Sequence, residues 1–165
     1  MHTINTEMIK EMKVKYEEYS TWNELSKDDL LLVNKAKEAR NFAYANYSKF
    51  KVGAAILLDN GIILTGNNQE NAAYPSGLCA ERTAIFYTIA NYPSSKIVRM
   101  AVVAGKDDTN SIPISPCGAC RQVLLEYEHR QKKPIEFLFT GMKGKVIKFF
   151  QCADFLPFFF DENSL

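Results

Sequence analysis

Two stretches about forty residues apart each put a cysteine where a helix should start: PSGLCAERTAIF, residues 75–86, and SPCGACRQVLLEY, residues 115–127. For Cys79 to meet Cys117 and Cys120, two loop-to-helix junctions must converge at one edge of a sheet. Helix N-termini suit this purpose, because their free N–H groups and the positive end of the dipole favour a thiolate over a thiol.

The elements between and around these junctions are readable. Residues 26–47 carry Ser26 as an N-cap, Asp28 and Asp29 in a first turn, and Leu32, Ala36, Ala39 and Ala43 at helical spacing. FKVGAAILLDNGIILTG, residues 50–66, reads as a β-hairpin turning at Asp59-Asn60-Gly61, where Asn and Gly tolerate positive φ. A polar loop leads to a helix from about Cys79 to Asn91, then to KIVRMAVVAG, a buried strand, then to a helix beginning at Cys117. PIEFLFT and KVIKFF are separated only by residues 141–144, too few for a crossover, so they should pair antiparallel. The alternation of helix and strand predicts an α/β fold: a three-layer sandwich with a mixed five-stranded sheet flanked by helices.

Residues 28–165 are expected to form one catalytic domain, preceded by an extension over residues 1–27. In that extension MKVKYEEYS alternates enough to suggest a short strand or an arm lying on something else. At the other end DFLPFFFDENSL is too apolar to leave in water and must dock on its own core, a neighbouring subunit, or both.

A chain of 165 residues with 47% apolar and 24% charged residues can bury a single core. Twenty basic and 19 acidic residues leave a net charge of +1, too little field to hold nucleic acid or an anionic membrane. The opening residues lack a signal-peptide pattern, and no segment approaches the ~20 apolar residues of a span, so a cytoplasmic protein with reduced cysteines is expected.

Zinc held by thiolates prefers tetrahedral geometry, and three sulfurs leave the fourth position for water, as in catalytic rather than structural sites. Glu81 then acquires a reason: on the same helical turn as Cys79, it can sit beside that water without binding the metal and move protons to substrate nitrogen atoms. Arg82 or Arg121 could offset the negative charge of three thiolates, Arg82 being favoured by its place on the first turn. Alone, Cys117 and Cys120 would read as readily as a redox pair or small core residues as they would as half of a metal site. Cys152 reads as a buried small hydrophobe, or as a fourth ligand that would close the site. His2 and His129 lie in a terminal and a charged segment and are not expected to ligate.

C-x-E followed by P-C-x-x-C is the signature of zinc-dependent base deaminases. Over residues 28–160 the chain resembles the homotetrameric cytidine deaminases, through AYANYSKFKVGAA, NQENAAY, CAERTAI, SPCGACRQVL and FLPFFF. The resemblance implies Cys79, Cys117 and Cys120 as ligands of one Zn2+ per subunit and Glu81 as proton shuttle. It also implies Asn68 and Glu70 on the ribose hydroxyls, Phe50 lining the base pocket, the Ala80 backbone on the pyrimidine edge, and Phe160 reaching a neighbour's active site in a homotetramer. The implied reaction turns a free nucleoside, cytidine or deoxycytidine, into uridine or deoxyuridine, with no nucleic-acid or membrane partner. Asn46 departs from the family's usual proline and Gln69 from its valine or isoleucine. Phe50 by itself could be core, and Asn68 and Glu70 could be turn formers. Two rival functions are a deaminase of a cytosine-containing nucleoside antibiotic and a closed, structural zinc module.

Overall fold

The structure, a computed structural model, describes residues 9–165; His2 and the first eight residues of the expected extension lie outside them. Six strands form one sheet in the order β1-β6-β5-β4-β2-β3, comprising β1 (Tyr16–Tyr19), β2 (Lys51–Leu58), β3 (Ile63–Asn67), β4 (Ile97–Gly105), β5 (Glu136–Thr140) and β6 (Val146–Phe149). Among these six strands only β4 and β5 pair in parallel, so the sheet is mixed. Helix α1 (Lys27–Arg40) covers one face, while α2 (Ala80–Asn91) and α3 (Gly118–Gln131) cover the other. Among the described residues no helix is long and apolar enough to cross a membrane.

Alternation along the central strands feeds both layers. Met100, Val102, Phe137 and Phe139 pack toward α2 and α3, and Ala101, Val103 and Leu138 toward α1. Ser26 caps α1 by accepting from Asp29 N (3.1 Å). In the β2–β3 turn only Gly61 takes a positive φ (82°); Asn60 contributes its side chain instead, accepting from Ile62 N (3.0 Å). The α1 face also buries charge. Asp29 meets Arg99 Nη1 at 2.9 Å and Lys148 Nζ at 3.1 Å, and Lys148 reaches Glu136 at 3.2 Å, a closed set of two acids and two bases.

The expectation of five strands is corrected to six. YEEY pairs antiparallel with β6, Tyr16 opposite Phe149 and stacked on it at 5.7 Å between ring centroids, and Lys145 holds Glu18 at 2.6 Å. Trp22 follows, donating Nε1–H to Thr140 Oγ1 (3.0 Å). An apolar edge that would otherwise lie open recruits this strand.

The apolar tail divides. Phe155 is buried against Phe137 and Phe149, at 5.3 and 5.0 Å, whereas Phe158 is 96% exposed and Phe160 58%. The buried Glu128 carboxylate fixes the start of the tail, accepting N–H groups from Ile135, Cys152 and Ala153 at 2.7–3.0 Å.

Sheet and α1 approach closely at Gly53, where an added Cβ would lie 2.0 Å from Ala36 O and 2.4 Å from Arg40 N. Backbone on both sides cannot yield. Gly53→Ala is therefore expected to lower unfolding stability by about 2 kcal/mol or more, read as a reduced urea midpoint at unchanged slope.

Candidate metal centre

β3 and β4 both run antiparallel to β2, so the chain leaves them in the same direction before turning into α2 and α3. The two helix N-termini therefore arrive on one side of the sheet. Cys79 is the N-cap of α2 and Cys117 the N-cap of α3, both extended (φ −70° and −67°), and neither side chain caps its own helix. That leaves the sulfurs free to face each other, with Cys120 added from the first turn of α3.

Cys79 Sγ and Cys117 Sγ are 3.8 Å apart, Cys117 and Cys120 3.5 Å, and all three lie within 4.8 Å of one another. A tetrahedron with zinc–sulfur bonds of about 2.3 Å has sulfur–sulfur edges of about 3.8 Å. The three donors fit zinc, and among the described residues no other His, Cys, Asp or Glu joins their cluster. Cys152 is elsewhere, fully buried, with its Sγ on Ile135 O at 3.6 Å.

Arg82 Nη2 lies 3.7 Å from Cys79 Sγ. Arg121 turns away to Pro116 O (2.8 Å), Phe155 O (3.1 Å) and Ser115 Oγ (3.1 Å). Hydrogen bonding from Cys120, joined by Arg82 and Cys117, holds the Cys79 thiol down at about 5, and the same bond pushes the Cys120 thiol up. Glu81, only 5% exposed, is pushed up to about 7, mainly by burial and further by the charge on Cys79. A carboxyl poised near neutrality can both take and return a proton. Ala80, the first residue of α2, is wholly buried, and as an N-terminal helix position its N–H has no intrahelical partner.

Beside Cys79 and Arg82 opens a cavity of about 500 Å3, walled by Tyr47, Ser48, Asn68 and Glu70 among others. Asn68 is bound to the β2 backbone, donating Nδ2–H to Phe50 O (2.9 Å) and accepting from Val52 N (2.8 Å). Glu70 accepts from Tyr47 N (2.8 Å), Ser48 N and the Ser48 hydroxyl, which together hold its carboxyl below the usual range, the hydroxyl most of all. Phe50 is half-buried and is not among the cavity-lining residues. Phe160 lies against α3, its carbonyl accepting from Gln122 Nε2 (2.7 Å). Sequence reasoning missed Ser48 and Tyr47; the turn residues just before Phe50 were the available signal, with no periodicity to mark their partner 22 and 23 positions away.

Residues 26–133 match the family of the cytidine and deoxycytidylate deaminase zinc-binding region. The chain is 42% identical over 134 residues to a cytidine deaminase of Sporosarcina psychrophila, covering 81% of this chain and 92% of that one. The crystal structure of a cytidine deaminase from Burkholderia pseudomallei superposes with a TM-score of 0.70 at 40% identity, over 82% of this chain and all of the other. A blasticidin-S deaminase of Bacillus cereus is 31% identical over 127 residues, 75% of this chain and 86% of that one.

Metal analysis distinguishes the cysteines. Cys120→Ser is expected to lose the bound zinc, whereas Cys152→Ala retains the wild-type content; loss of metal in the Cys152 variant would place that sulfur in the site.

Proposed function

Because the chain belongs to the cytidine and deoxycytidylate deaminase family, we propose that it hydrolyses free cytidine and deoxycytidine to uridine and deoxyuridine, releasing ammonia, in pyrimidine salvage. The observation that carries the reading is Glu81, a buried carboxyl next to three sulfurs that fit zinc. Cys79, Cys117 and Cys120 would hold zinc, which would supply a Lewis acid that eases loss of a proton from the attacking water. Glu81 takes a proton from the attacking water and places it on N3, then takes the remaining proton of that oxygen and passes it to the C4 amine, which leaves as ammonia while the C4 carbonyl forms. The Ala80 N–H holds the pyrimidine edge. Arg82 keeps Cys79 anionic and moderates the charge of the three thiolates.

Asn68 and Glu70 receive the ribose hydroxyls and Phe50 flanks the base. After its bonds to Phe50 O and Val52 N, Asn68 still has one N–H and one lone pair to offer. We propose residues 28–165 as the catalytic domain and residues 1–27 as an extension to it. The protein acts in the cytoplasm on a small molecule, with neither nucleic acid nor membrane as partner, a reading supported by its near-neutral charge. It works as a homotetramer in which Phe160 reaches a neighbour's site; the exposed Phe158 and Phe160 support that assembly.

The similarity to a blasticidin-S deaminase keeps a second substrate in view, a cytosine-bearing nucleoside antibiotic. The higher identity to a cytidine deaminase and the Asn68–Glu70 pair at the cavity favour the plain nucleoside.

Glu81→Gln is expected to keep its zinc while cytidine turnover, followed by loss of ultraviolet absorbance, falls by a factor of about 10² to 10⁴. Turnover at the wild-type rate would remove Glu81 from the mechanism. Sedimentation equilibrium should give the mass of four chains, and Phe158→Ser combined with Phe160→Ser should shift it toward smaller species.

A further inference from the structure

Asn68 and Glu70 alternate along the chain just past β3, and both are tied to a single segment, residues 47–52. Asn68 holds the end of it, at Phe50 O and Val52 N. Glu70 holds the beginning: its Oε2 accepts from Tyr47 N at 2.8 Å and from Ser48 N at 3.3 Å. The Ser48 hydroxyl joins the two, donating to Glu70 Oε1 and accepting from Phe50 N at 2.9 Å. Lys49, in the left-handed region at φ 58°, folds the turn so that one hydroxyl reaches both groups.

Stability does not account for this arrangement. Water reaches Glu70 and would solvate the carboxylate on its own, whereas freezing a glutamate side chain costs conformational entropy. A carboxylate held by three donors on a cavity wall is preorganised for something in the cavity. We infer that Ser48 is a positioning residue for the sugar end of the substrate: its hydroxyl aims Glu70 so that the remaining lone pair of Oε1 meets a ribose hydroxyl. The inference rests on the reading of Glu70 as a ribose-binding residue and deepens it.

The test is steady-state kinetics of the zinc-loaded full chain on cytidine and on 2′,3′-dideoxycytidine, which lacks both sugar-ring hydroxyls, for wild type, Ser48→Ala, Ser48→Thr and Glu70→Gln. Ser48→Ala should raise KM for cytidine about tenfold, the worth of one hydrogen bond, with a smaller change in kcat and little change in KM for the dideoxy compound. Ser48→Thr keeps the hydroxyl and should recover most of the loss. Equal KM changes on the two substrates, or a loss confined to kcat, overturn the role of Ser48. If wild type and Glu70→Gln show the same KM ratio between the nucleosides, the reading of Glu70 itself fails. If Glu70→Gln abolishes the preference for cytidine and Ser48→Ala preserves it, only the Ser48 inference fails.

Discussion

Three sulfurs can share one small cation only because two helices begin on the same side of the sheet, and that follows from strand direction. β2 runs against both β3 and β4, so those two strands, which lead into α2 and α3, are parallel to each other although they do not touch. Every feature of the centre inherits this geometry. The N-cap positions free Cys79 and Cys117 from helical bonding, the first turn of α3 adds Cys120, and the first turn of α2 adds Glu81 and Arg82. A ligand site outside the carboxyl ends of strands is the common solution in open α/β sheets, because the helix dipoles there point their positive ends outward.

The two faces of the sheet divide the burial of charge between them. Under α1, Asp29, Arg99, Glu136 and Lys148 neutralise one another, so the charges are compensated within the protein. Under α2, Glu81 forms no ion pair among the described residues, and burial outweighs the opposing charge of Arg82, so the carboxyl holds its proton nearly to neutrality. The first arrangement fixes α1 on the sheet. The second leaves a group only partly compensated, whose protonation can change during a reaction.

Much of this was legible in the chain. The C-x-E and P-C-x-x-C spacings specify which sulfurs meet because first-turn geometry is local, and the hairpin, α1 and the antiparallel β5–β6 pair were equally marked by caps and short turns. β1 was legible only as an alternating segment, since nothing in YEEY names β6 as its partner; pairing with a strand some 130 residues away is a tertiary choice. The grip of Ser48 on Glu70 was hidden for the same reason, being a hydrogen bond between two loops. Asn60 looked like a positive-φ residue and instead used its amide oxygen to brace the turn, an alternative always open to Asn.

β1 also alters what the protein shows to other chains. Without it the sheet would end at VIKF, an apolar strand with a free row of backbone donors and acceptors. With it the border is YEEY, four residues long and carrying two adjacent carboxylates, Glu17 and Glu18. A short acidic border is a poor template for further strand addition. The extra strand thus exchanges an apolar rim for a short polar one, on which Glu18 is already paired with Lys145.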